Sequence, residues 1–348
     1  MGDYKSLRVA VEDTIMQKGK LATAGSKILE NFIAPFDATV VTRLKAAGVP
    51  LIGKTKTDEF GAAGLVIDTH VEDVVTAVAD GIAQAALCND YTGAVRRQAV
   101  QAGLCYVSPT YGTVSRYGLI PAVSSMDQIG IVCKTPAEGF SLLSLIAGYD
   151  PNDGAMFPEK VYSYEPGRSG IKIGVPENVP QTAAVLEFIK NFETVQFELK
   201  HFDAYDNVMK ILCFAELSNN ISRYDGIKFG RRAEGVHDLN ELYTKSRTEA
   251  FGLYAKLSAI MGAVVLSHGN YERYFDKAMR VRRIIKESLD FGRGKYDAIV
   301  LPESAAGTVL AQLAGLPSVT VPFGDGGVTL VADVRCENIL FSAMEAAL

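Results

Sequence analysis

Apolar residues along this chain fall alternately into short runs and helix-spaced sets. Leu7-Arg8-Val9-Ala10-Val11 reads as a short strand. Asp37 stands where it can cap a helix whose apolar positions Val40, Val41, Leu44 and Ala47 recur at helical period, and Gly48 follows as a natural stop. Leu51-Ile52-Gly53-Lys54 reads as a second strand with Lys54 at its C-terminal end, where open α/β sheets place ligands. A helix of small residues (Ala77, Ala79, Ala83, Ala85, Ala86) is predicted from Val74 to Leu87, leading into the turn Asn89-Asp90-Tyr91-Thr92-Gly93. Thr135-Pro136-Ala137-Glu138 carries a capping box with proline at the first helical position, and the helix through Phe140, Leu143 and Ile146 stops at Gly148. A polar connector with Pro and Gly covers 150–167, and a strand follows at 170–176. Helices are predicted over 208–222, 235–266 and 270–290, and strands at Ala298-Ile299-Val300-Leu301 and Ser318-Val319-Thr320-Val321. Such alternation argues an α/β fold with helices on both faces of one sheet, in a single domain over 1–348.

Composition narrows the classes of function. With 348 residues, 48% apolar and 22% charged, the chain can bury a large core. No run of about 18 apolar residues lacks a charge or a glycine, and no apolar signal core follows the start, so a cytoplasmic location and no membrane are expected. Cys88, Cys105, Cys133, Cys213 and Cys336 are far apart, without the spacing of a zinc or redox pair, and read as packed thiols. The four histidines have no metal-ligand spacing, so neither metal nor cofactor is expected. A net charge of −5 disfavours direct nucleic-acid binding. In the most basic stretch, Ala278, Val281, Ile285 and Leu289 have helical spacing, which leaves Arg280, Arg282, Arg283 and Lys286 on or beside a solvated face.

Several longer stretches carry a resemblance. They include Ala24-Gly25-Ser26-Lys27-Ile28-Leu29-Glu30-Asn31-Phe32, Gly53-Lys54-Thr55-Lys56-Thr57-Asp58-Glu59-Phe60 and Pro109-Thr110-Tyr111-Gly112-Thr113-Val114-Ser115-Arg116-Tyr117-Gly118-Leu119. Ser124-Ser125-Met126-Asp127-Gln128-Ile129-Gly130, Ser222-Arg223-Tyr224-Asp225-Gly226 and Leu313-Ala314-Gly315-Leu316-Pro317 continue the series. In this order they resemble the amidase-signature family, and within it the glutamine-hydrolysing A subunit of the amidotransferase that acts on glutamyl-tRNA(Gln) or aspartyl-tRNA(Asn). The resemblance implies a mixed central sheet with helices on both faces. It also implies nucleophilic acyl transfer, in which a serine attacks a carboxamide, a second serine relays its proton and a buried lysine is the final base. Backbone N–H groups of the turn before the nucleophile would hold the oxyanion.

Carried over residue by residue, that centre is broken. The lysine falls on Lys54. His70 stands at the relay position, in Asp68-Thr69-His70-Val71-Glu72, and Ala94 stands at the nucleophile position, after the oxyanion-type turn Tyr91-Thr92-Gly93. A methyl group cannot attack a carbonyl. Ser258 takes the place of the arginine that would clamp the glutamine carboxylate, and the segment of the acidic clamp is shortened to Ala305-Ala306-Gly307-Thr308-Val309. Set against the resemblance, Glu12 stands for a usual lysine, and a stretch between Phe60 and Asp68 and the N-terminal helical region are expected to be lacking. Asp127, Gln128 and Arg116 would line the active-site wall, while Ser222–Gly226 and Leu313–Pro317 would pack at the sheet edges. The expected function is therefore that of a pseudoenzyme, related by descent to translation, that binds a partner or a small amide ligand. Its partners would be a second copy or B- and C-type amidotransferase subunits. The alternative is a divergent amidase, or a glutamyl-tRNA(Gln) amidotransferase A subunit that works through a rearranged site.

Overall fold

Val9–Glu12 (β1) is buried at all four positions, the pattern of a strand covered on both faces. The structure, a computed structural model, describes residues 6–66, 72–291 and 295–348, apart from the side chains of 305–308. The other strands are Leu51–Thr55 (β2), Ala85–Asn89 (β3), Cys105–Ser108 (β4), Ile129–Cys133 (β5), Lys172–Pro176 (β6) and Glu193–Phe197 (β7), then Ala298–Pro302 (β8), Ser318–Phe323 (β9) and Gly326–Ala332 (β10). Among the described residues they form one ten-stranded sheet in the order β2-β1-β3-β5-β4-β9-β10-β8-β6-β7. β1 runs parallel to β2 and β3, the middle of the sheet is antiparallel, and β6 runs parallel to both β7 and β8. The sheet is thus mixed, as the resemblance implies.

Helices cover both faces because alternate strand residues are apolar on each side. Val11, Leu87 and Val300 join one core with Thr39–Ala46 (α1), Pro136–Ile146 (α4), Ala183–Phe188 (α5) and Glu337–Ala347 (α11). On the opposite face Ala10, Ala86 and Cys88 pack with Asp73–Ala79 (α2) and Ala94–Gln101 (α3). Ile299 and Leu301 pack on that face with Tyr205–Ile221 (α6), Lys277–Glu287 (α9) and Ala305–Ala314 (α10). Leu239–Ala250 (α7) and Leu253–Leu266 (α8) complete the helices. The capping box forms, with Glu138 N donating to Thr135 Oγ1 at 3.3 Å.

Several expectations change. The helix over 74–87 is two elements: α2 ends at Ala79, Gly81 turns the chain at φ +70°, and Ala85–Asn89 is a central strand. Alanines buried on both faces of a sheet have no polar alternation to mark them as strand. Asp37 does not cap α1. Its carboxylate accepts from Lys18 N and pairs with Lys45, and the cap position belongs to Ala38. The stretch 235–266 is divided at Phe251-Gly252 into α7 and α8, and 270–290 opens with a π turn at Tyr271–Asp276. Arg282 is not on a solvated face: it donates to Leu313 O, Ser125 Oγ and Ser125 O, tying α9 to its neighbours. Leu313–Pro317 does not lie at a sheet edge either, since it feeds β9 in the middle of the sheet, and Ser222–Gly226 follows α6 away from the strands. All five cysteines are free, four of them buried and Cys336 partly so.

Candidate functional site

β1, β2 and β3 run side by side in one direction, so their C-terminal ends share one rim of the sheet. Lys54 of β2 pairs with Val11, which pairs with Leu87 of β3. Two strand spacings put the Cα atoms of Lys54 and Leu87 about 10 Å apart. Lys54 and the turn after Asn89 therefore end at the same rim, with β1 between them.

Lys54 is fully engaged. Its ammonium meets Asp13 Oδ1 at 3.1 Å, Asp13 O at 3.0 Å and Leu21 O at 2.7 Å. Three N–H donors thus face three acceptors, all in the segment that follows β1. Burial lowers the lysine's pKa, and the Asp13 carboxylate offsets part of that. Asp13 in turn accepts from Thr23 N at 2.8 Å and from the Thr23 hydroxyl. The sequence reading missed Asp13, because its role becomes visible only once β1 and β2 are known to pair and Asp13 N donates to Thr55 O.

The segment expected to hold the nucleophile does form a turn. Gly93 takes φ +79°, which suits glycine, and Ala94 opens α3. Asp90 accepts from Val95 N and Arg96 N at 3.2 Å each and from Arg96 Nε at 2.8 Å, which caps the helix with a buried ion pair. Breaking such a pair by removing one partner costs roughly 3–5 kcal/mol. Arg96 also lies over the Tyr106 ring at 4.9 Å. The Tyr91 hydroxyl donates to Phe60 O at 2.8 Å, and Ala94 N donates to Thr92 Oγ1 at 3.3 Å. Gly64 closes the space in front of the turn: a Cβ there would stand 2.5 Å from Thr92 Oγ1 and 3.3 Å from the Ala94 methyl. No sequence motif pointed to Gly64.

Behind the turn the buried chemistry is acidic. The Glu12 carboxylate accepts from Thr14 Oγ1 at 2.7 Å and Asn89 N at 2.9 Å. Burial nevertheless pushes its pKa up to about 7, with Asp58 and Asp90 adding like charge. Glu72 is pushed up to about 9 by burial and by the neighbouring Asp58, Glu12 and Asp90. Asp127 accepts from Asn89 Nδ2 at 2.8 Å and from the N–H groups of Ala122 and Val123, and Gln128 N donates to Asn89 Oδ1 at 3.1 Å. These bonds join Asp127 and Gln128 to the end of β3. Arg116 is turned to Asp153, at 2.7 Å, and to Tyr111.

The remaining candidates do not gather here. Ser258 is fully buried in α8, and its hydroxyl has no partner. One turn on, Gly262 packs directly against Phe214 and Ser218 of α6, so Ser258 lies on the face of α8 that meets α6. Val309 is a buried residue of α10. His70 lies outside the described residues.

A mixed sheet with a lysine at the end of one strand, and a Gly-containing turn opening a helix at the end of another, defines the scaffold of an amidase-type α/β protein. A protein-family profile described as Amidase matches residues 6–65 and 75–331, and the chain belongs to the amidase-signature family. It is 36% identical to the A subunit of the glutamyl-tRNA(Gln) amidotransferase of Koribacter versatilis, over 91% of this chain and 77% of that protein. With the corresponding A subunit of Thermotoga maritima it shares 34% identity over 93% of this chain and 78% of the relative. The crystal structure of the Thermotoga maritima protein superposes with a TM-score of 0.75 at 29% identity, covering 98% of this chain and 82% of that one. The native peptide amidase from Stenotrophomonas maltophilia shares the fold, with a TM-score of 0.78 at 23% identity over 99% of this chain and 82% of that one.

Proposed function

We propose that this chain is a non-catalytic member of the amidase-signature family, which acts by binding a partner or a small ligand. The observation that carries this reading is Ala94 at the first position of α3, where the resemblance places the nucleophile, with Gly64 set against its methyl group. The lysine supports it, since every N–H of the Lys54 ammonium already has an acceptor in the 13–21 segment. The partner half rests on the relatives, whose names make each of them one component of a glutamyl-tRNA(Gln) amidotransferase. A stripe on α8 that includes Ile260, Met261 and Val264 is also exposed and apolar, a face that a partner of the same kind would cover. A single domain that descends from a translation enzyme and has given up hydrolysis fits both observations.

Purified protein is expected to release no ammonia from glutamine or asparagine above the buffer blank. Turnover well above the blank, and lost in Lys54→Ala, would overturn the non-catalytic reading. Light scattering at micromolar concentration, with and without B- and C-type amidotransferase subunits, reads the partner half. A complex or a self-associated species with an interface of at least about 1,000 Å² is expected, and a chain that stays monomeric in both mixtures refutes it.

A further inference from the structure

A cavity lies apart from the Lys54–Ala94 rim. This cleft of 810 Å³ opens between the Ile28–Phe32 segment and the loop that follows α6. Its floor is apolar, with Ile28, Leu29, Ile120 and Tyr224 all buried. Its rim is not. Among the described residues lining it, Arg223, Lys228, Arg231 and Arg232 stand with two carboxylates, Glu30 and Glu234, and Asp225 of the same loop accepts from Ile227 N and Lys228 N, which leaves a local excess of one positive charge on a chain whose net charge is −5.

How those cations are used decides what the rim can bind. Arg231 pairs with Glu30 at 2.5 Å, and its backbone N–H donates to Ile28 O at 2.7 Å, so this residue is a clasp between the two walls. Arg223 is aimed rather than neutralised: its Nε and Nη2 donate to the Asn220 carbonyl and side-chain oxygens at 2.8 Å each. Among the described residues, no carboxylate forms an ion pair with Arg223, Lys228 or Arg232. Phe229 extends beside them with 53% of its surface exposed, an apolar ring left at the mouth of a cationic rim.

The walls are fixed before any ligand arrives. Gly230 has φ +86°, and a Cβ there would lie 2.9 Å from Ile28 Cγ1, so glycine is what lets the loop close on that wall. Ala233 N donates to Ser246 Oγ at 3.0 Å and Gly226 N to Phe229 O at 3.0 Å, which pins the loop on either side of its tip. Preformed walls lower the ordering cost of binding to that of the exposed Lys228 and Arg232 side chains.

We propose that this cleft binds a small organic anion, with an apolar body on the Ile28–Tyr224 floor and a carboxylate or phosphate held by Arg223, Lys228 and Arg232. Guanidinium groups take either oxyanion through paired, charge-assisted hydrogen bonds. The assignment gives a ligand class to the binding role proposed above and rests on that reading, but the two fail separately. Tyr224 stacks on Phe60 at 5.7 Å, and this layer stands between the cleft and the Ala94 turn. An ammonia assay reports on the turn, whereas a titration reports on the cleft.

The titration uses the full chain and four probes: 4-phenylbutyrate, 3-phenylpropyl phosphate with the same body, the neutral 4-phenylbutyramide, and acetate, which has the charge without the body. At least one of the two amphipathic anions is expected to bind about tenfold or more tighter than both the amide and acetate, a difference of about 1.4 kcal/mol. Whichever of the two is tighter identifies the headgroup. The double variant Lys228→Gln, Arg232→Gln changes two exposed side chains and leaves the core intact; it is expected to weaken the anion about tenfold or more and to leave the amide unchanged. The proposal is overturned if the amide binds as tightly as the acid, if the double variant binds the anion like the parent, or if neither anion binds at millimolar concentration.

Discussion

At the scale of single residues, the non-catalytic reading proposed above rests on more than one absent hydroxyl. Ala94→Ser would restore an oxygen at the head of α3, but it would face Gly64 and Thr92, with the Lys54 ammonium committed to Asp13 and Leu21. A weak nucleophile without a base gains little. Ammonia release by Ala94→Ser is therefore expected to stay at the blank, measured on glutamine by a coupled dehydrogenase assay. Recovered turnover would show that Lys54 can leave its acceptors. Lys54, Ala94 and the 91–93 turn could be placed from the sequence because each sits inside a motif with a fixed local geometry. Asp13, Gly64 and Glu72 could not, since each matters only through a contact with a distant segment. The packing role of Ser258 was not legible, because its position depends on the crossing of α8 with α6.

That crossing sets the prediction at the scale of elements. α6 and α8 approach so closely at Gly262 that a Cβ there would stand 2.3 Å from Phe214 O and 2.2 Å from Ser218 Cβ. One of these is backbone and the other a β-carbon, so neither can turn aside. Gly262→Ala gains about 1 kcal/mol of helix propensity but must force the helices apart, and overpacking of this kind costs roughly 1–3 kcal/mol. A lower urea midpoint is expected, and a raised one would show that the pair can slide. Elements with an apolar face and a polar one, such as α1 and α4, could be read from their period. β3, buried on both faces, was read as helix, and the shared run of α7 and α8 hid the break at Gly252.

For the molecule as a whole, buried carboxyl groups make stability depend on pH. The fold raises Glu12 to about 7 and Glu72 to about 9 by burying them, so both favour the protonated form. Their stabilising contribution is complete below the unfolded carboxyl range, near 4.5, and is lost as pH rises through 7 and then 9. Between these values Glu72 alone can supply a slope of up to about 1.4 kcal/mol per pH unit. The urea midpoint of the parent is expected to fall from pH 6 to pH 9, and that of Glu72→Gln to fall less. Parallel curves for the two proteins would show that Glu72 ionises freely in the fold. The α/β class and the mixed sheet were legible because the alternation and the family motifs agree, whereas the central position of β9 depends on pairings that no local pattern encodes.

Lys54 bears on how such chains are recognised. Its ammonium staples the loop after β1 to the end of β2, a task that needs a long cation and is independent of any reaction. A chain that lost its chemistry would keep this lysine for the sake of folding, and a motif search would still find it and register a base. On the non-catalytic reading, agreement at Gly53-Lys54-Thr55 would be a record of descent, and turnover would have to be sought at the other end of the rim, where the attacking atom would be.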